Sequence, residues 1–180
     1  MSDRGIYRGV FSTLLDDRDF RANSPEERHV FHAMRLSKEV GPGCIWQCDE
    51  PTLVSMIVGR TGYRPAVVRR ALDGLASKPT SAKPWLVRDL ELGVWWLRNG
   101  LRYDPHVHLQ RGTQLVGVVR SVLGMPECDV LRKFLSYYRI HKAYQIALTK
   151  GIARLSIGYR RHSFEDSGLR TKEKEKEKDS

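Results

Sequence analysis

In the stretch TGYRPAVVRRALDGL, residues 61–75, Arg69 and Arg70 lie opposite an apolar arc, and Arg64 stands just ahead of it. Guanidinium groups so placed fit phosphate oxygens, or the O6/N7 edge of guanine, which arginine meets with two parallel hydrogen bonds. Asp104, His106 and His108 in DPHVH would share one side of an extended segment, a conceivable ligand set for a metal. Cys44 and Cys48 share a strand side, but the C-x3-C pair has no second close pair to complete a zinc site. His29, His32, His141 and His162 show no ligand spacing, and Asp16, Asp17 and Asp19 read as a turn. There is no phosphate-cradling glycine loop, nucleophile elbow or H-E-x-x-H pair. The chain reads as non-catalytic, without metal or cofactor.

The elements that must position the arginines follow from the local grammar. Gly62 breaks the chain and Pro65 suits a first helical position. At 100° per residue Val68, Ala71, Leu72 and Leu75 gather in one arc, with Ala66, Arg69, Arg70, Asp73 and Ser77 opposite. Upstream, SPEERHVFHAMRLSKEV opens with Ser24 as N-cap, Pro25 at the first position and Glu27 closing a capping box. GPG at 41–43 ends that helix. CIWQC is a short strand, and DEPTLVSMIVGRTG a helix with Leu53, Val54, Met56, Ile57 and Val58 inward. After the loop ASKPTSAKP, WLVRD and VWWLRNGLRY flank the turn LELG as a β-hairpin. In β-strands consecutive side chains face opposite ways, so of Trp95 and Trp96 one is expected in the core and the other semi-exposed.

The order helix, strand, helix, tight turn, helix, hairpin is that of a winged helix-turn-helix. The expected fold is therefore mainly α with a small β-hairpin (α+β), with a helical C-terminal extension. Residues 1–23 form a lead-in segment, 24–104 the winged-helix domain and 105–155 the helical extension. Residues 156–180, ending in TKEKEKEKDS, form a flexible charged tail or linker.

Charge follows this division. The 180 residues carry 31 Lys and Arg against 21 Asp and Glu, a formal net charge of +10. Residues 1–59 hold seven basic and nine acidic side chains, residues 60–103 nine and three, and residues 104–170 eleven and five. The excess begins at the arginine-bearing helix, as a polyanion-binding face there requires. Three cysteines without framework spacing, a charged N-terminus and no apolar run of membrane length point to a reduced, cytoplasmic protein with no membrane partner.

LVSMIVGRTGYRPAVVRRALDGL followed by WLVRD…VWWLRNGL resembles the winged-helix DNA-binding superfamily. More narrowly, LLDDRDFRANSPEERHVFHAMRL ahead of it and RNGLRYDPHVHL…VLGMPECDVLRKFLSYY behind it look like phage-type replication proteins, the replisome organisers and DnaD-like primosomal proteins. That resemblance implies origin binding or self-assembly by the winged helix, and recruitment of a replicative helicase or its loader by the part downstream. It would place the protein in the host cytoplasm or nucleoid. Two features depart from the pattern. Arg64 stands where relatives carry a Ser or Thr cap, and the wing tip, Asp89 to Gly93, is acidic and apolar.

The candidate DNA-binding set is Tyr63, Arg64, Ala66, Arg69, Arg70, Ser77, Lys78, Lys83, Arg88, Arg98 and Arg102. Double-stranded DNA is the expected ligand ahead of single strands, and a homo-oligomer is compatible with the pattern. The same arginines also fit a solvated helix face, with Arg69 paired to Asp73 one turn on. Two other functions use the same fold: a transcriptional regulator, and a protein-interaction module whose charge serves solubility.

Overall fold

The computed structural model describes residues 12–37, 39–80, 83–102, 109 and 112–152. Among them are eight helices and a three-stranded antiparallel sheet, a mixed α+β architecture. Residues 7–11, DPHVH at 104–108 and the charged end at 156–180 lie outside the described residues, as does His162.

Around Asp16, Asp17 and Asp19, expected as a turn, the chain instead forms two short helices, α1 (Ser12–Asp16) and α2 (Arg18–Arg21). The second starts at Asp17, whose carboxylate accepts from the amides of Asp19 and Phe20 and caps α2. Helix α3 (Pro25–Arg35) has the capping box in full: the Ser24 hydroxyl accepts from the Glu27 amide, and the Glu27 carboxylate from the Ser24 amide. Strand β1 (Ile45–Gln47) leads to α4 (Glu50–Thr61), capped by Asp49. Gly62 ends α4 at φ 71°, the left-handed region where a side chain is strained. Only Gly62, Tyr63 and Arg64 separate α4 from α5 (Pro65–Ser77).

Strands β2 (Leu86–Asp89) and β3 (Val94–Leu97) close the hairpin, and the sheet order is β1-β3-β2. Gly93 makes its turn at φ 63°, accepting from the Cys48 amide. The sheet is covered on both sides. Trp46, Leu86, Trp95 and Leu97 join α3, α4 and α5 in one core. Ile45, Val94 and Trp96 join α6 (Gly112–Val122), α7 (Asp129–Tyr137) and α8 (His141–Lys150) in a second. Trp95 and Trp96 are 0% and 2% exposed. The expected semi-exposed tryptophan is thus corrected: the C-terminal helices cover the face on which it would have met water.

Within the helical extension, the stretch after Pro126 forms two helices. Tyr138, Arg139 and Ile140 separate α7 from α8, with Arg139 at φ 56°. The break separates the apolar stripe of α8 from that of α7, so the two helices pack as distinct elements on the second core. Among the described residues no helix is long and apolar enough to cross a membrane.

Candidate nucleic-acid interface

Helix α5 buries Val68, Ala71, Leu72 and Leu75 and leaves Arg64, Ala66, Arg69, Arg70, Asp73 and Ser77 exposed, the division that the 3.6-residue period dictates. The buried Val68, Leu72 and Leu75 side chains contribute roughly 1.5–3 kcal/mol each, so the inner stripe holds the helix and the outer one is left for other uses. Arg64 occupies the N-cap position without a side-chain cap bond, as its lack of an acceptor requires. The residue therefore stands at the positive end of α5, where an anion is favoured.

The candidate cations differ in what holds them. Arg69 does not pair with Asp73; its Nε donates to Glu50 Oε1, at the start of α4, at 3.2 Å. Asp73 instead accepts from Arg88 Nη2 at 2.6 Å, which ties β2 to α5. Lys78 Nζ donates to both oxygens of the buried Glu27 carboxylate at 2.9 Å and locks the end of α5 to the start of α3. Glycine at 74 makes room for that pair, since a Cβ there would overlap the Glu27 carboxylate. Among the described residues no carboxylate lies within ion-pair distance of Arg64 or Arg70. Glu26 has its carboxyl held below the ordinary range chiefly by a backbone hydrogen bond, then by Ser24, with a small contribution from Arg70.

Other members of the set have local roles. Tyr63 packs on the first core, and its hydroxyl is 3.1 Å from His29 Nδ1. The Ser77 hydroxyl donates back to the carbonyls of Asp73 and Gly74. The guanidinium of Arg98 lies 5.0 Å from the Tyr137 ring centroid, a cation–π contact with α7. Lys83 and Arg102 are exposed beyond the hairpin. The turn of the β2–β3 hairpin exposes Leu90 at 55% and Leu92 at 40%, beside Asp89 and Glu91.

Two cations absent from the expected set stand beside it. Arg132 and Lys133 of α7 are exposed and share one carboxylate, Asp129, at 2.8 and 3.4 Å. With Arg88 and Arg98 they line a cavity of about 810 Å³ at the edge strand β2. Their signal in the sequence was D-x-x-R-K on a helix, but nothing local says that α7 packs beside the hairpin. Among the described residues no three His, Cys, Asp or Glu side chains are grouped to hold a metal ion. All three cysteines are free, and burial pushes the Cys48 thiol above its ordinary range.

No family model matches this chain, and no curated protein or solved structure gives a significant match.

Proposed function

We propose that this chain is a non-catalytic, double-stranded DNA-binding protein with a winged helix-turn-helix, in which α4 and α5 form the helix pair and β2–β3 the wing. The observation that carries the reading is the exposed row Arg64, Arg69 and Arg70 on α5, presented by a three-residue turn. Arginines on a presented helix neutralise phosphates and can read guanine edges in the major groove. Lys78 and Arg88 act by holding α5 against α3 and β2, with part of each side chain still facing solvent. The resemblance of the flanking segments to replisome organisers and DnaD-like proteins supports a role in phage-type DNA replication. The helical part would then recruit a helicase or its loader, in the host cytoplasm.

The test is fluorescence anisotropy with duplex DNA across a salt series. Release of condensed counterions gives a log–log slope of roughly −3 to −6 for that many phosphates. A flat salt response contradicts this mode of binding. One observation favours a second reading, a protein-interaction module: the acidic wing tip with its exposed Leu90 and Leu92 is ill suited to a minor groove. That module would show no salt-dependent DNA binding.

A further inference from the structure

We infer that the cleft between α5, the edge strand β2 and α7 is a second nucleic-acid site, one that takes a single strand. This inference rests on the DNA-binding reading of α5 and extends it to a ligand that α5 does not itself select. Four cations line the cleft, Arg88, Arg98, Arg132 and Lys133, and no carboxylate does. Asp73 and Asp129 pair with three of the four from outside the lining, so the rim keeps a positive excess. Behind the rim are Val87 and Trp96, an apolar floor. A cationic rim over an apolar floor matches a strand whose phosphates face outward and whose bases face in.

Size separates a single strand from a duplex. A cavity of about 810 Å³ falls in the roughly 300–1,000 Å³ range of sites for small organic ligands. It has room for a nucleotide or two of a passing strand, whereas a duplex cannot enter it. Tyr137 supplies the aromatic surface: it is partly exposed, and its ring is held in place by its hydroxyl donating to Asn99 Oδ1 at 2.8 Å and by the Arg98 guanidinium. The cleft is also continuous with the proposed duplex face, because Ala76 of α5 and Arg88, bonded to Asp73 of α5, both belong to its wall. A smaller cavity of about 220 Å³ shares Arg98 and Tyr137 and adds Lys83 and Arg102, but also Asp17 and Asp19. Its three cations face two carboxylates in the lining, so its positive excess is smaller than that of the larger cleft. A strand separated from a duplex gripped by α5 could therefore run directly into it.

The experiment measures anisotropy of the full chain with a labelled oligothymidylate of about 12 nucleotides, the matching oligouridylate, and a blunt duplex. Arg132→Glu/Lys133→Glu changes two exposed helix positions and should fold as the parent does, which circular dichroism checks. It is expected to weaken oligothymidylate binding by about tenfold or more and duplex binding by less than about twofold. Tyr137→Ala should weaken single-strand binding with little change in its salt slope, the mark of lost stacking. Arg64→Ala/Arg70→Ala should show the converse selectivity, losing duplex and keeping the single strand. Equal losses on the DNA and RNA strands assign recognition to their shared backbone and bases, and a selective loss on either one assigns the cleft to that strand. Both support the inference.

Wild-type oligothymidylate and oligouridylate affinity in the folded charge-reversal variant would overturn it, as would equal losses on duplex and single strand. An oligoglutamate peptide that binds with the same dependence on Arg132 and Lys133, while oligonucleotides do not bind, would assign the cleft to an acidic protein segment and overturn it too. Failure of duplex binding alone, with the single-strand result intact, would remove the α5 reading and leave the cleft standing.

Discussion

Arg88 on the edge strand donates to Asp73 on α5 at 2.6 Å, and this pair fixes the hairpin against the helix that carries Arg64, Arg69 and Arg70. Asp73 is exposed on that outer face, where its negative charge opposes an approaching phosphate. Asp73→Asn should therefore tighten duplex binding by about threefold to tenfold at fixed salt, a consequence of one less repelled charge. Stability should change by less than about 1 kcal/mol, because exposed ion pairs contribute little. Anisotropy and urea unfolding on the same preparation check both halves.

Two glycines should respond in opposite senses to alanine. Gly93 sits at φ 63°, and a Cβ there would lie 2.5 Å from the carbonyl oxygen of Cys48, which also accepts from the Trp95 indole at 2.8 Å. Gly93→Ala should cost more than about 2 kcal/mol through combined strain and displacement of β1. Gly59 lies inside α4 with nothing within 4 Å of an added Cβ, so Gly59→Ala should stabilise by up to about 1 kcal/mol. Urea midpoints of the two variants, measured together, decide it.

Much of this arrangement was legible because local physics determines it. Ser24, Asp49 and Pro65 mark helix starts, and Val68, Ala71, Leu72 and Leu75 mark the buried side of α5. Partners supplied by distant elements were not legible. The sequence places Asp73 one turn from Arg69, yet Glu50 takes Arg69 and Arg88 takes Asp73 once α4 and β2 arrive. The same limit applies to β3. A strand covered on one face alternates, but Val94 to Leu97 is buried at every position because α6, α7 and α8 cover its second face. The contribution of α7 to the cationic surface was hidden for that reason.

The two cores should depend on each other through the shared sheet. Trp96→Ala removes a ring packed edge-on against Phe134, Tyr137 and Tyr138, and should cost about 3–5 kcal/mol. Leu72→Ala, in the other core, should cost about 2–5 kcal/mol. Each variant is expected to unfold in a single transition by both tryptophan fluorescence and far-ultraviolet circular dichroism. Two separated transitions would mean that the cores fold independently.

Acid should destabilise the fold before its carboxylates titrate. His32 is half-buried against the edges of Phe20 and Phe31, and its pKa is lowered from 6.5, first by desolvation and then by Arg35. The unfolded chain binds the proton more readily than the folded one. Stability is therefore fully present above pH 6.5 and is lost as pH falls through that value toward the lower folded one. Melting temperatures between pH 7.5 and about pH 5 should fall for the parent protein and fall less for His32→Gln.

The central claim is that the outer face of α5 binds DNA. Its most direct test is the affinity of Arg64→Ala/Arg70→Ala for duplex DNA across a salt series, with folding verified by circular dichroism. Both positions are exposed, so the unfolding midpoint should stay within about 1 kcal/mol of the parent for the pair. Binding should weaken by about 2–5 kcal/mol if both arginines reach bases, with relaxed preference at the contacted pairs. If both reach only phosphates, it should weaken for all sequences alike, with the salt slope reduced by about two. Parent-like affinity and slope in the folded double variant would contradict the claim and leave α5 facing protein or water.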